Sequence, residues 1–151
     1  MAIKCIAIGS RIRMDDGIGI RVAEKLLTQL KKEKIEVILG DTDQEYIFSR
    51  IDSEDFLIIL DATYYGIAPG TITITPIVDI HHPNYCLYTQ HESNLIPLLK
   101  IQEKNVGGYL IGIEIDTIDY GLELSDTLTG ILQSISNEVY KLIKQTLSDI
   151  V

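Results

Sequence analysis

The sequence predicts an α/β three-layer sandwich, in which a twisted, mostly parallel five-stranded sheet is flanked by helices. Two observations carry this prediction. Short apolar runs alternate with amphipathic stretches along the 151 residues, and several runs are apolar at nearly every position, which is typical of strands covered on both faces. A regular alternation of strands and helices favours parallel pairing, because each helix returns the chain to the same end of the sheet.

Five runs are predicted as strands. Pro69-Gly70 predicts a turn that leads directly into the fourth strand. Because no helix separates the third strand from the fourth, we expect the fourth to be an edge strand in antiparallel pairing. In chain order, the strands are Ile3–Ile8, Ile35–Leu39, Phe56–Leu60, Thr71–Thr75 and Gly108–Ile115.

Four amphipathic stretches are predicted as helices. Ser125 is the expected N-cap of the last and longest helix, because a serine hydroxyl can accept a hydrogen bond from the first helical turn. The stretch Pro76–Gln90 has no regular period, and irregular segments of this length are often functional. The positions that define the helices are Ile20, Ala23, Leu27 and Leu30 in the first, Tyr46, Ile47 and Ile51 in the second, Leu95, Leu98, Leu99 and Gln102 in the third, and Leu128, Ile131, Leu132, Ile135, Val139, Leu142 and Ile143 in the last.

Composition and charge exclude several classes of protein. The length and the hydrophobic share of 46% indicate one globular domain over residues 1–151. The net charge of −9 argues against a nucleic-acid partner, because phosphate binding needs a basic face. Cys5 and Cys86 form no CxxC motif, and the first apolar run is too short for a signal or membrane segment. We therefore expect a cytoplasmic protein with no membrane partner.

Residues with chemical potential gather where strands are predicted to end. Asp15 and Asp16 follow the first strand in a glycine-containing loop, Asp61 closes the third strand, and His91 ends the irregular segment. In open α/β sheets, ligands bind beyond the carboxyl ends of the strands. Paired carboxylates repel phosphate, which disfavours a nucleotide site. Carboxylates with an imidazole suit a divalent ion such as nickel or zinc, and three protein ligands leave a position open for substrate or water.

Each of these residues also has a structural interpretation. Asp16 is a favoured N-cap type for the first helix, Asp61 can stabilise the turn after its strand, and a lone loop histidine such as His91 is often solvated. The pair His81-His82 competes as a source of metal ligands, although both side chains are expected to face water. A catalytic triad of Ser10, His91 and Asp61 is disfavoured, because no GxSxG motif is present.

Four segments, in register over essentially the whole chain, resemble the hydrogenase maturation endopeptidases. One such motif has little specificity, whereas four with the expected order and spacing are specific. The segments are Gly9–Gly19, which resembles the signature GNxLxxD(D/E)GxG; Leu60-Asp61-Ala62 with Gly66 and Pro69-Gly70, which is similar to VDA…G…PG; His91 followed by Leu95, which matches the loop histidine; and Leu110–Glu114 with Ile118–Ser125, which is similar to GIQP…GLS.

The resemblance implies an activity, a metal and a partner. Members of this family cut a short C-terminal extension from the precursor of a nickel-iron hydrogenase large subunit after nickel insertion. The family's metal-binding positions correspond here to Asp16, Asp61 and His91, which are the expected metal ligands and catalytic residues. Nickel is expected to arrive bound to the precursor. The expected nucleophile is a polarised water assisted by a carboxylate.

The chain departs from the family pattern at several positions. Ser10 replaces an asparagine, Leu39 stands where many members carry an aspartate, and Glu114 and Ile115 replace a glutamine and a proline. These differences leave the particular precursor unassigned and do not touch the three expected ligands. One alternative is a non-catalytic chaperone that binds nickel or a metalloprotein precursor. Another is a peptidase of the same fold that acts on a different metalloprotein precursor.

Overall fold

The computed structural model describes residues 1–81, 104 and 106–150. Within these residues, one sheet holds five strands in the order β2-β1-β3-β5-β4. β1 is parallel to β2 and β3, β3 is parallel to β5, and β4 is antiparallel to β5. The predicted mostly parallel sheet is confirmed, and so is the antiparallel edge strand. The strands are β1 (Ile3–Ile8), β2 (Glu36–Asp41), β3 (Phe56–Thr63), β4 (Ile72–Pro76) and β5 (Gly107–Glu114).

The described part of the chain contains three α-helices: α1 (Ile18–Lys32), α2 (Gln44–Ser49) and α3 (Asp126–Asp149). Ser125 is the N-cap of α3, as predicted, and its hydroxyl accepts a hydrogen bond from Leu128 N at 3.2 Å. The helix predicted around Leu95, Leu98 and Leu99 lies outside the described residues. No helix in residues 1–81 and 106–150 has the length and apolar character needed to cross a membrane.

Helices cover both faces of the sheet. α1 and α3 pack on one face, over strand side chains such as Cys5 and Ile58. α2 packs on the other face, where Ile47 joins Ile6 and Ile59. Because side chains alternate across a strand, the continuous apolar runs of the central strands are buried on both sides. All eight residues of β3 are buried, which makes this strand the centre of the three layers.

The buried face of α1 differs from the predicted stripe by one residue. Ile20, Ala23 and Leu30 are buried as predicted, but Leu26 is the buried central leucine and Leu27 is only half-buried. Leu26 follows Ala23 by three positions and precedes Leu30 by four, which places it on the same helix face as both. Leu27 lies at the margin of that face.

The structure differs from the sequence prediction at the end of β3 and after β4. β3 continues to Thr63, three residues beyond its predicted end, because it pairs with β5 as far as Thr63 and Glu114. Residues Ile77–His81, predicted as part of an irregular segment, form a 3-10 helix after β4. The extension of β3 matters for the candidate site, because Asp61 lies inside the strand rather than at its tip.

Two glycines bring the loop after β1 against the end of β3. A Cβ atom at Gly19 would lie 2.7 Å from the Leu60 carbonyl oxygen and 3.3 Å from Asp61 N, so only glycine allows α1 to approach β3 this closely. Gly9 has a φ of 147°, and a Cβ there would collide with the carbonyl oxygen of Asp16. This packing places a 3-10 helix, Met14–Gly17, beside the carboxyl end of β3.

Candidate functional site

Asp15, Asp16 and Asp61 lie at the same edge of the sheet, as the strand order predicts. Asp15 and Asp16 belong to the 3-10 helix that follows β1, and Asp61 is the third residue from the end of β3. β1 and β3 are parallel neighbours, so their carboxyl ends lie side by side. All three side chains are buried, with exposures of 0%, 1% and 1%. Buried carboxylates are costly unless they are hydrogen-bonded, paired with a cation or protonated.

Hydrogen bonds to both carboxylate oxygens compensate Asp15 for the loss of water on burial. Its Oδ2 accepts from Asp116 N at 3.0 Å, from Thr117 N at 2.8 Å and from the Ser125 hydroxyl at 2.8 Å. Its Oδ1 accepts from Ser125 N at 2.7 Å. These bonds fasten the segment before α3 to the loop after β1. Asp15 is therefore a positioning residue that fixes the architecture of this edge.

Asp16 holds the start of the same loop. Its Oδ2 accepts a hydrogen bond from Ser10 N at 2.8 Å. The alternative prediction that Asp16 caps α1 is wrong, because Gly17 is the N-cap and no side chain makes a capping bond there. The bond from position 10 comes from the backbone, so serine in place of the family's asparagine leaves it intact.

Asp61 has one oxygen that is bonded and one that is not. Its Oδ1 accepts from Ala62 N at 2.8 Å, whereas its buried Oδ2 accepts no hydrogen bond from any residue that the structure describes. Burial raises the pKa of Asp61 well above the usual range, the charge of Asp16 raises this pKa further, and the Ala62 N–H acts in the opposite direction. Because β3 continues past Asp61, this side chain does not cap the following turn.

Asp16 and Asp61 therefore act on each other as like charges in a buried setting. Such a pair favours taking up a proton or a cation, because either removes the repulsion. In the described ranges, no group of three or more His, Cys, Asp or Glu side chains is arranged to hold a metal ion. The third expected ligand, His91, lies outside the described residues, as do His82 and the side chain of His81.

Glu114 is a site residue that the sequence marked only as a departure from the family pattern. It is buried at the carboxyl end of β5, with an exposure of 2%. Its Oε1 accepts from the Thr63 hydroxyl and from Tyr65 N, each at 2.9 Å, and its Oε2 accepts from Gly66 N at 3.0 Å. Glu114 thus fixes the backbone that leaves β3 just beyond Asp61.

We expect Glu114→Gln to lower the free energy of unfolding by about 1 kcal/mol, because the amide nitrogen cannot accept the bond from Gly66 N. Glu114→Ala removes the acceptor for all three donors and is expected to cost about 3 kcal/mol. Urea unfolding at pH 7, followed by circular dichroism, measures both changes. The exposed Glu123, changed to glutamine, is the matched control. Equal stability of wild type and Glu114→Ala would contradict this role.

Tyr64 is a second residue that the sequence analysis missed. Its side chain is half-buried, and its hydroxyl is buried without a hydrogen-bond partner among the described residues. Burial raises the pKa of Tyr64 to about 12, the charge of Asp16 also raises it, and the charge of Arg13 lowers it. The hydroxyl therefore stays protonated at neutral pH, and the charge of Asp16 influences its pKa. In the sequence, its position three residues after Asp61 was the feature that could have indicated a place near the candidate site.

Two cavities open at this edge of the sheet. One, of about 670 Å³, is lined by Tyr64 and Glu114 and by apolar side chains that include Ile67 and Ile118. The other, of about 620 Å³, lies between Met14 and residues 116–127. Asp116 lines both cavities, so they adjoin at the segment that Asp15 holds in place. The edge therefore offers room for an extended ligand along Tyr64, Glu114 and Asp116.

The sequence is similar to proteins of hydrogenase maturation. The family model HycI, hydrogenase maturation protease, matches residues 20–149, a range that contains Asp61 and begins after Asp16. The hydrogenase expression/formation protein HoxM of Azotobacter vinelandii is 33% identical over 70 residues, which are 46% of this chain and 34% of that protein. HupD of Thiocapsa roseopersicina is 31% identical over 68 residues, which are 44% of this chain and 31% of that protein. These alignments span about a third of the length of the curated relatives.

Solved structures share the fold. The hydrogenase maturating endopeptidase HybD from E. coli superposes with a TM-score of 0.74 at 18% identity, covering 97% of this chain and 94% of that one. The [NiFe] hydrogenase maturation protease HybD from Thermococcus kodakarensis gives a TM-score of 0.69 at 22% identity, covering 94% and 99%. At these identities the likeness establishes the three-layer α/β architecture.

Proposed function

Because the chain belongs to the hydrogenase maturation protease family, we propose that it is an endopeptidase that removes the C-terminal extension of a nickel-iron hydrogenase large-subunit precursor after nickel insertion. The observation that carries the proposal is the buried Asp16–Asp61 pair, in which Oδ2 of Asp61 has no partner among the described residues. Asp16, Asp61 and His91 are the proposed metal ligands and catalytic residues. The nickel is part of the substrate, carried by the precursor.

The electrostatics of the pair support recognition of a metal-loaded substrate. Burial and the charge of Asp16 disfavour ionisation of Asp61, and a divalent cation removes that cost. Carboxylate oxygens and an imidazole are suitable ligands for nickel. A precursor without nickel offers no such compensation, so its tail would not be held against the site. The proposed enzyme thereby tests for the metal before cutting.

The same carboxyl groups support proton transfer during hydrolysis. A water oxygen adds to the carbonyl carbon of the scissile bond, and a carboxylate of the pair accepts the proton that the water loses. Burial raises the pKa of Asp61, which makes its carboxylate a stronger base than an exposed one. The proton then passes to the amide nitrogen as the C–N bond breaks. Anchoring the substrate near the water accounts for much of the rate, because the reacting groups are held in place.

The proposal is tested by the intact mass of a nickel-loaded large-subunit precursor before and after incubation with this protein. We expect loss of one defined C-terminal peptide from the loaded precursor and no change in a nickel-free control. Unchanged mass with nickel-dependent capture of the precursor would favour the precursor-binding chaperone instead. Unchanged mass without capture would contradict both functions for that precursor.

A further inference from the structure

The hydroxyl of Tyr64 is a polar group at this edge of the sheet that takes no part in the hydrolysis steps proposed above. Resting on the proposed function, we infer that Tyr64 is a substrate-contacting catalytic residue. Its hydroxyl donates a hydrogen bond to the carbonyl oxygen of the peptide bond that is cut. The substrate class is an extended peptide segment lying along the cavity of about 670 Å³ that Tyr64 lines.

The position of Tyr64 is fixed on both sides. Thr63, before it, pairs with Glu114 in the sheet and donates its hydroxyl to the same side chain at 2.9 Å. Tyr65 and Gly66, after it, donate their backbone N–H groups to Glu114 at 2.9 and 3.0 Å. The residues on both sides of Tyr64 are therefore anchored to Glu114 at the carboxyl end of β3. Catalytic hydrogen-bond donors work best when they are held in place before the substrate arrives.

The environment of the hydroxyl points to a ligand. Buried tyrosine hydroxyls are usually hydrogen-bonded, because an unpartnered one forfeits its bonds to water. That of Tyr64 is buried and has no partner in the described part of the chain. Tyr64 also lines the cavity of about 670 Å³, whose other walls include Ile67, Pro69 and Ile118. These apolar walls suit an aliphatic side chain next to the bond that is cut, and a substrate carbonyl would supply the missing acceptor.

The chemistry of amide hydrolysis gives this donor a specific use. When the water oxygen bonds to the carbonyl carbon, the π electrons move to the carbonyl oxygen, which becomes negative. A neutral hydroxyl binds that oxyanion more strongly than it binds the initial carbonyl, so the contact stabilises the transition state preferentially. The electron pair then returns, the C–N bond breaks, and the nitrogen takes the proton held by the carboxyl group. The products are a carboxylic acid and an amine.

Burial raises the pKa of the Tyr64 hydroxyl, the charge of Asp16 raises it further, and the charge of Arg13 lowers it. Its pKa of about 12 keeps it protonated, and therefore a donor, throughout the neutral range.

Tyr64→Phe tests the inference, because it keeps the ring and removes only the hydroxyl. We expect the single-turnover rate of tail removal from the nickel-loaded precursor to fall about 100-fold, the usual effect of losing one oxyanion donor. Nickel-dependent capture of the precursor is expected to be unchanged. The melting temperature is expected to be no lower than that of wild type, since the deleted group has no partner in the described chain. Tyr120→Phe, at a tyrosine that is 85% exposed, is the matched control and is expected to cut at the wild-type rate.

The outcomes separate the inference from the proposed function. A wild-type rate in Tyr64→Phe would overturn the inference and leave the proposed function standing. A slower rate accompanied by a lower melting temperature would assign Tyr64 a structural role and also overturn it. If the wild-type protein itself does not cut the loaded precursor, the proposed function fails and the inference fails with it.

Discussion

Asp61→Asn is expected to abolish cleavage of the nickel-loaded precursor and at the same time to stabilise the metal-free protein. Asparagine occupies the same volume but presents an amide nitrogen where the carboxylate would bind metal or accept a proton. The loss of rate is expected to be about 1,000-fold or more, because one side chain serves both tasks. The proposed ligand set requires the same loss for Asp16→Ala and His91→Ala. If each of the three variants still cleaved the precursor, the assignment of these residues as metal ligands would be wrong.

The gain in stability follows from the buried charge. Oδ2 of Asp61 has no partner among the described residues, and Asp16 repels it. Because this charge is buried and repelled by Asp16, we expect its removal to raise the free energy of unfolding by about 1 kcal/mol. For a chain of this size, that corresponds to a rise in melting temperature of about 2–4 °C. Asp119→Asn, at an exposed aspartate on the same edge, is the control.

The gain has a defined dependence on pH. The pKa of Asp61 is raised in the folded protein, whereas in the unfolded chain it is about 3.9. Between these two values the folded state binds more protons, so the free energy of unfolding falls as the pH rises through this window. The asparagine variant lacks this loss. Its advantage should therefore be absent below pH 4 and grow toward the raised pKa, which thermal melts between pH 3 and pH 8 would show as an increasing gap.

The opposite result is expected for Asp15, one residue from Asp16. Asp15→Ala deprives three backbone N–H groups and the Ser125 hydroxyl of their shared acceptor. Leaving a buried network without its charged centre costs about 3–5 kcal/mol, a large part of the roughly 5–15 kcal/mol that stabilises an ordinary domain. We expect a melting temperature lower by about 10 °C and partial unfolding during expression.

Two further variants separate the network from general sensitivity at this position. Ser125→Ala removes the cap of α3 and one bond to Asp15, and should cost about 1–2 kcal/mol. Asp119→Asn is again the exposed control and should change stability by less than about 0.5 kcal/mol. If Asp15→Ala unfolds at the same urea concentration as wild type, the four hydrogen bonds do not have the structural role assigned to them. Stability measurements would thus distinguish the structural role of Asp15 from the proposed metal-binding role of Asp16. An activity assay alone would not separate the two roles.

Local sequence pattern was sufficient for much of the fold. The apolar runs located all five strands of the described chain to within a few residues, since burial on both faces leaves a continuous signal. The missing helix between the third and fourth strands predicted an antiparallel edge, and Ser125 was recognised as a cap from its residue type. Asp16 and Asp61 were expected at the same edge because parallel strands end together. Their roles, and that of His91, stay predictions.

Tertiary structure decided what depends on partners distant in the sequence. Asp15 and Asp16 are alike in sequence, and it is the fold that bonds Asp15 to residues 101 to 110 positions away. Glu114 and Tyr64 line one cavity of the candidate site because β5 lies beside β3, a neighbour relation that no local pattern contains. The physical reason is that each segment's own spacing of apolar residues determines which of its faces is buried. The partners of a buried polar atom, by contrast, are set by which segments the folded chain brings together.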